Sequence, residues 1–128
     1  MSYPKDAVWY LRVEHDRAES VIVLTLAGRV SHRTCPELEA ALSAAMTSGA
    51  AAVVVDLSAV DYISSPGLRA LDAAATRLSA DGRRLVVCGV QDAVSVAFDL
   101  GGLSATLAVA PSREAAVASA AGRLGPEP

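Results

Sequence analysis

The sequence predicts a single α/β domain. Its sheet is mixed, mostly parallel with an N-terminal antiparallel hairpin, and is packed with about four helices. Three observations carry this. From Val21 onward, short β-branched and aliphatic runs alternate with segments whose apolar residues recur at helical spacing. That order suits parallel strands joined by right-handed crossovers. The first two strand-like runs are separated only by the polar Asp16-Arg17-Ala18-Glu19-Ser20, a link suited to a hairpin. No repeat or low-complexity linker divides the 128 residues, a length at which one domain buries most of its apolar surface.

Each element has a local reason. Ala7 to His15 alternates as a strand, with Val8, Tyr10, Arg12 and Glu14 opposing Ala7, Trp9, Leu11 and Val13. Val21 to Ala27 is a second strand, rich in β-branched residues. Gly28 to Thr34 is a loop. Thr34 is the expected cap of a helix with Pro36 and Glu37 in its first turn and Leu38, Ala41, Leu42 and Ala45 on one face, closed by Ser48-Gly49. Ala52 to Leu57 is a continuous apolar run, as a central buried strand requires. Ala59 to Ile63 reads as a short link. Leu68, Leu71, Ala75 and Leu78 mark a second helix, stopped by Asp81-Gly82. Leu85 to Val90 is a further strand, and Gln91 to Leu100 a shorter helix ended by Gly101-Gly102. Thr106 to Val109 is an expected edge strand, and Ser112 to Ala121 an alanine-rich helix capped by Ser112 with Glu114 in its first turn. The domain core is expected over residues 7–122, with 123–128 as a frayed tail.

Composition excludes several function classes. A hydrophobic fraction of 52% argues for a packed core and against disorder. Aromatics are only 4%, too few for a nucleic-acid reader built on stacking platforms. Net charge is −3, and no Lys/Arg block supplies the footprint that phosphate-backbone binding needs, so no direct nucleic-acid contact is expected. No apolar run approaches a membrane span, and polar Met1 to Asp6 is not followed by the apolar stretch of a signal peptide. A cytoplasmic protein is expected. Cys35 and Cys88 fall in no CxxC or Cys/His metal pattern, and two free thiols are expected. Cys88 sits inside a strand. Cys35 lies at a helix start beside Arg33, where an exposed, more reactive thiol is expected.

Catalytic signatures are also missing. The histidines are His15 and His32, and no zinc-protease, nucleophile-elbow or phosphate-loop pattern surrounds them. Gly101-Gly102 reads as a helix end. No catalytic residue, metal or cofactor is expected.

The chemistry concentrates instead in Ser64-Ser65-Pro66-Gly67-Leu68. Here a buried strand gives way to a helix and presents two hydroxyls. Serine is a favoured N-cap, because its oxygen accepts from an otherwise unpaired first-turn amide. With Ser65 as the cap, Pro66 takes N1, where no N–H is needed. The same place favours an anion, through the helix dipole and the free amides. A phosphate on this serine is therefore compatible with the helix. Gly67 lets a backbone approach closely, either a partner's or the protein's own.

The order strand, Asp56-Leu57-Ser58, Tyr62, Ile63, Ser64-Ser65-Pro66-Gly67-Leu68, helix resembles the anti-sigma factor antagonist family, whose fold is the STAS domain. Gly28 to Thr34 is similar to that family's first strand-to-helix loop, and Leu85 to Val90 to its next core strand. The resemblance spans roughly Val21 to Ala121. It implies a STAS-type sheet and a non-catalytic protein that switches partners. The unmodified form would bind an anti-sigma factor that is also a serine kinase with a histidine-kinase-like ATPase fold. Phosphorylation would end binding, and a metal-dependent serine phosphatase would restore it. The modified serine maps to Ser65, with Ser64 as second candidate. Ser31 and Ser64 stand where the family most often has Asp. Partner contacts are expected from Ser31, His32, Arg33, Asp61, Ser64, Pro66, Gly67 and Arg69. The cationic loop Arg29, His32, Arg33 would lie beside the serine, facing an acidic partner or a nucleotide edge. The alternative is a STAS adaptor subunit of a transporter or larger signalling assembly. Its surface would bind constitutively and Ser65 would serve only as a cap.

Overall fold

The computed structural model describes residues 10–18, 20–103 and 107–121. The chain forms β1 (Leu11–Ala18), β2 (Val21–Val30), α1 (Cys35–Thr47), β3 (Ala52–Ile63), α2 (Ser65–Ala80), β4 (Arg84–Cys88), α3 (Asp92–Leu100), β5 (Ala108–Ala110) and α4 (Arg113–Ala120). The strands make one sheet in sequence order, β1-β2-β3-β4-β5. β1 and β2 are antiparallel and the remaining pairs parallel, the mixed sheet that the sequence predicts.

Several boundaries differ from expectation. β1 runs on through Asp16, Arg17 and Ala18, with Ala18 opposite Val21, so the hairpin link is two residues long. Those residues look like a turn because they are polar. Their charges instead line the open edge of the sheet, where charge discourages pairing with another chain. Residues 7–9 of the expected first strand lie outside the described residues, as do Thr106, Gly122 and the expected tail. β4 stops at Cys88, because Gly89 turns the chain at φ +68. A Cβ on Gly89 would stand 2.7 Å from Ser58 Cβ and 3.0 Å from Asp56 Oδ1, so only glycine fits.

The largest difference is in β3. Ala59 to Ile63 is strand, paired with β2 up to Val30 opposite Ile63. The register slips between Thr25 and Ala27 and again between Gly28 and Arg29, each time giving β3 one extra residue. Such bulges reset the in–out alternation, which hides the strand from a period-two reading.

The sheet is covered on both faces. Each crossover steps to the next strand in the same direction, so right-handed connections put α1, α2 and α3 on one side. There Leu24, Leu26, Val53, Val55, Leu57, Leu85 and Val87 meet Leu38, Leu42, Leu71, Leu78, Val94 and Phe98. α4 follows the last strand and takes the other side. It covers Val21, Val23, Val54, Val86 and Cys88 with Ala116 and Ala120. Burying a Val or Leu contributes about 1.5–3 kcal/mol. The three-helix face, with its larger side chains, therefore carries most of the stability. All four helices follow parallel strands, so their N-termini gather at one end of the sheet.

Candidate functional site

The site is assembled where β2 and β3 end side by side. The Ser64 N–H donates to the Val30 carbonyl at 2.7 Å, which joins the loop after β2 to the start of α2. Ser64 keeps an extended backbone, with φ −84 and ψ 168, and is the N-cap of α2. Its Oγ accepts from the Gly67 N–H at 3.4 Å, and its carbonyl accepts from the Leu68 N–H at 2.9 Å. The cap is therefore Ser64, where the sequence pointed to Ser65. Ser65 is already the first helical residue and Pro66 the second, still within the turn whose N–H groups have no helical partner.

This shift separates the two hydroxyls. Ser64 is buried, 3% exposed. Ser65 is exposed, and among the described residues its hydroxyl has no hydrogen-bond partner. Gly67 is buried too. A Cβ there would stand 2.6 Å from Val30 Cγ1 and 2.9 Å from Ile63 Cγ1. The glycine is thus needed for the helix start to sit on the ends of β2 and β3. The expected partner contacts of Ser64 and Gly67 give way to intramolecular ones. Leu68 is half-buried against the core, Pro66 is half-buried, and Arg69 is exposed.

The neighbouring loop is held by its own hydroxyls. Thr34 is buried at the N-cap position of α1, but its side chain does not cap. Its Oγ1 donates to the Arg29 carbonyl at 2.7 Å and accepts from the Ser31 N–H at 2.8 Å. Ser31 Oγ accepts from the N–H groups of Arg33 and Thr34 at 3.2 and 3.3 Å. Ser31 is half-buried and serves this turn, while His32 and Arg33 project from it. The bond from the Ser64 N–H to the Val30 carbonyl brings the beginning of this loop to the start of α2.

Arg29 belongs to β2 rather than to the loop. Its Nε lies 3.5 Å from Asp61 Oδ1, and its guanidinium sits 5.7 Å from the centre of the Tyr62 ring. Both charges are exposed, so the ion pair contributes little stability. Asp61 is the extra residue of the second bulge, which is how it reaches Arg29. Tyr62, 45% exposed, stands beside the site and was not among the expected contact residues. The available signal was an aromatic residue three positions before Ser65.

Cys35 corrects another expectation. It is 4% exposed, because it opens the buried stripe Cys35, Leu38, Ala41, Leu42, Ala45 of α1. Burial, and secondarily Glu39, push its thiol above the ordinary value. Arg69 opposes them. Cys88 is fully buried and is pushed up to about 11, first by burial and then by Asp56, with Arg113 opposing. Both thiols are free. Among the described residues no group of three His, Cys, Asp or Glu side chains is placed to hold a metal ion.

One polar cluster outside the site was also missed. Asp56, mostly buried under α4, pairs with Arg113 Nε at 3.3 Å and accepts from the Ser58 N–H at 2.9 Å. Arg113 also donates to the Thr25 hydroxyl. The cluster pins the start of α4 to β2 and β3.

Comparison with known proteins gives consistent matches. The family model for the STAS domain matches residues 12–116. BtrV of Bordetella bronchiseptica, which carries the name anti-sigma factor antagonist, is 35% identical over 109 residues, covering 85% of this chain and 94% of BtrV. The crystal structure of an anti-sigma factor antagonist from Mycobacterium paratuberculosis is similar with a TM-score of 0.82 at 26% identity, covering 94% of this chain and 99% of that one. The phosphorylated form of the Bacillus cell fate determinant SpoIIAA shares the fold with a TM-score of 0.66 at 18% identity, covering 84% of this chain and 98% of that one.

Proposed function

The chain belongs to the STAS domain family, among its anti-sigma factor antagonists, and we propose that it is a non-catalytic, cytoplasmic partner switch controlled at Ser65. Its unmodified form binds an anti-sigma factor that is also a serine kinase of histidine-kinase-like ATPase fold. Phosphorylation of Ser65 ends the complex, and a metal-dependent serine phosphatase reverses it.

The observation that carries this reading is the division between the two serines. Ser64 does the capping, and Ser65 stands exposed at the first position of α2, its hydroxyl without a partner among the described residues. A phosphate there gains from the helix dipole, so the fold tolerates it. The same phosphate brings about −1.5 to −2 charges into a contact made for a neutral hydroxyl, which disrupts it by desolvation and repulsion. Around Ser65, the residues His32, Arg33, Asp61, Pro66 and Arg69 form the contact surface. Ser31 supports it by holding the first loop.

Phosphopeptide mapping after treatment with the cognate kinase tests the assignment, with Ser65→Ala as control. Phosphate on Ser65 alone is expected. Modification confined to Ser64, or none with a kinase proven to bind the chain, defeats it. Ser65→Asp should fold and bind at least tenfold more weakly, roughly 1.4 kcal/mol. Unchanged affinity in a folded Ser65→Asp protein would instead support a constitutive adaptor.

A further inference from the structure

β1 is the first strand of the sheet, and among the described residues only β2 pairs with it. Its other edge is open. The Arg29 N–H donates to the Tyr10 carbonyl at 3.0 Å, so Tyr10 turns its backbone groups toward β2. Antiparallel pairing alternates. Arg12, Glu14 and Asp16 therefore do the same, while Leu11, Val13 and His15 aim their backbone groups at the open edge. The side chains of those three residues, with Glu37, Ala40 and Ala44 of α1, line a groove that runs beside the edge. Leu11 and Val13 are only half-buried there, and the three helix residues are exposed. An edge with unpaired backbone and apolar side chains is a template for another strand.

We propose that the chain forms a two-fold homodimer through β1, one continuous sheet centred on Val13. Directly opposite residues of an antiparallel pair share a face of the sheet, so charge selects the register. Centring the axis on Arg12, Glu14, Asp16 or Arg17 sets that charge against its own copy, and centring on His15 sets Glu14 against Asp16. Among these centres only Val13 avoids like charges, and it sets Arg12 against Glu14 on both sides of the axis. In the single chain these two exposed side chains pair along their own strand. In this register Val13 exchanges backbone bonds with its copy, and Leu11 with His15, which are the groups already aimed outward. The groove is self-complementary as well. α1 starts where β2 ends, so Glu37 lies at the Leu11 end and Ala44 at the His15 end. The axis brings the second copy's His15 opposite Leu11, on the side of Glu37, and lets the small Ala40 and Ala44 of the two α1 helices approach each other. An axis perpendicular to the sheet also turns the second copy end for end, so the two Ser65 loops face away from each other and stay open.

Sedimentation of the full chain between about 1 and 200 μM tests this, because dimerisation follows mass action. Wild type should rise to twice the monomer mass and stop there. Arg12→Glu and Glu14→Arg each set like charges opposite one another and should raise the dissociation constant at least about tenfold. Both positions are exposed, so each variant keeps the fold, which circular dichroism checks. The two variants mixed in equal amounts should recover the doubled mass, since each reversed charge then faces its opposite in the other chain. Loss of the ion pair within one strand cannot produce that recovery. A wild type that stays monomeric over the whole range overturns the proposal. So does a doubled mass that both variants keep, which places the contact elsewhere, and so does growth beyond the doubled mass, which marks an open-ended contact. Variants that stay monomeric when mixed overturn the Val13 register and the dimer built on it.

Discussion

Ser64 and Ser65 are adjacent in the chain and opposite in environment. The hydroxyl of Ser64 is inside, accepting from the Gly67 N–H, and that of Ser65 faces solvent from the first turn of α2. The cap is thereby left to one oxygen atom, and the proposed phosphorylation would use the other. Ser64→Ala should cost about 1 kcal/mol, the usual loss of an N-cap. Ser65→Ala should stay within about 0.5 kcal/mol of wild type, as for an exposed position without partners. Urea unfolding of both variants decides this, and the reverse ranking would return the cap to Ser65.

Gly67→Ala places a methyl against Val30 and Ile63. Valine is branched at Cβ and stiff, so it cannot swing away cheaply. Overpacking of this kind costs about 1–3 kcal/mol. Alanine recovers about 1 kcal/mol of helix propensity, and a net destabilisation of about 1 kcal/mol is expected in thermal or urea melts. A more stable variant would show that the helix start is looser than the contacts with Val30 and Ile63 imply.

Arg113→Ala should leave Asp56 mostly buried with only the Ser58 N–H and no cation. The loss expected is about 1–3 kcal/mol. Asp56→Asn with Arg113→Ala should be less damaging than the sum of the single changes, because no charge is then stranded. A double-mutant cycle measures the coupling. Additive losses would mean that the pair is solvated and contributes little.

The thiols predict a pH dependence. Cys88 has its pKa raised to about 11 in the folded chain, against an ordinary value of 9.0. The unfolded chain therefore loses this proton first. The stability from keeping Cys88 neutral is full below about pH 9 and fades as pH climbs toward 11. Unfolding titrations across that range should show wild type losing stability more steeply than Cys88→Ala. In native protein at pH 8, both thiols should react slowly with a disulfide reagent, and both should titrate after denaturation. Fast labelling of native Cys35 would contradict its burial.

Much of the fold was legible because the central strands and helices carry strong periodicity. Val53-Val54-Val55 must be buried on both faces, and Leu71 and Leu78 face one side of a helix, where Ala74 rather than the expected Ala75 is fully buried between them. The bulged half of β3 was not legible, since two inserted residues erase alternation. The Ser65 region was found through the strand-to-helix junction and the family resemblance of its residues, but the cap was misplaced by one residue. That choice depends on whether Ile63 is still strand, a long-range property set by pairing with Val30. Cys35 looked exposed from its flanking Arg33 and Pro36, and only the direction of the α1 stripe places it inside. Arg113 could not have been matched to Asp56 from local sequence, because 57 residues separate them.

The order of the strands has a consequence for how the chain is made. Every strand pairs only with its neighbours in sequence, so none must wait on the ribosome for a distant partner. Synthesis can add β2 to β1, then β3, then β4, and dock α1 and α2 as each crossover emerges. The far face is different. Val21 and Val54 stay bare, and Asp56 stays uncompensated, until α4 is synthesised with Arg113. Closure of that face is thus the last step in covering this sheet. Until then the nascent chain presents a wet, sticky sheet surface behind a nearly finished three-helix face.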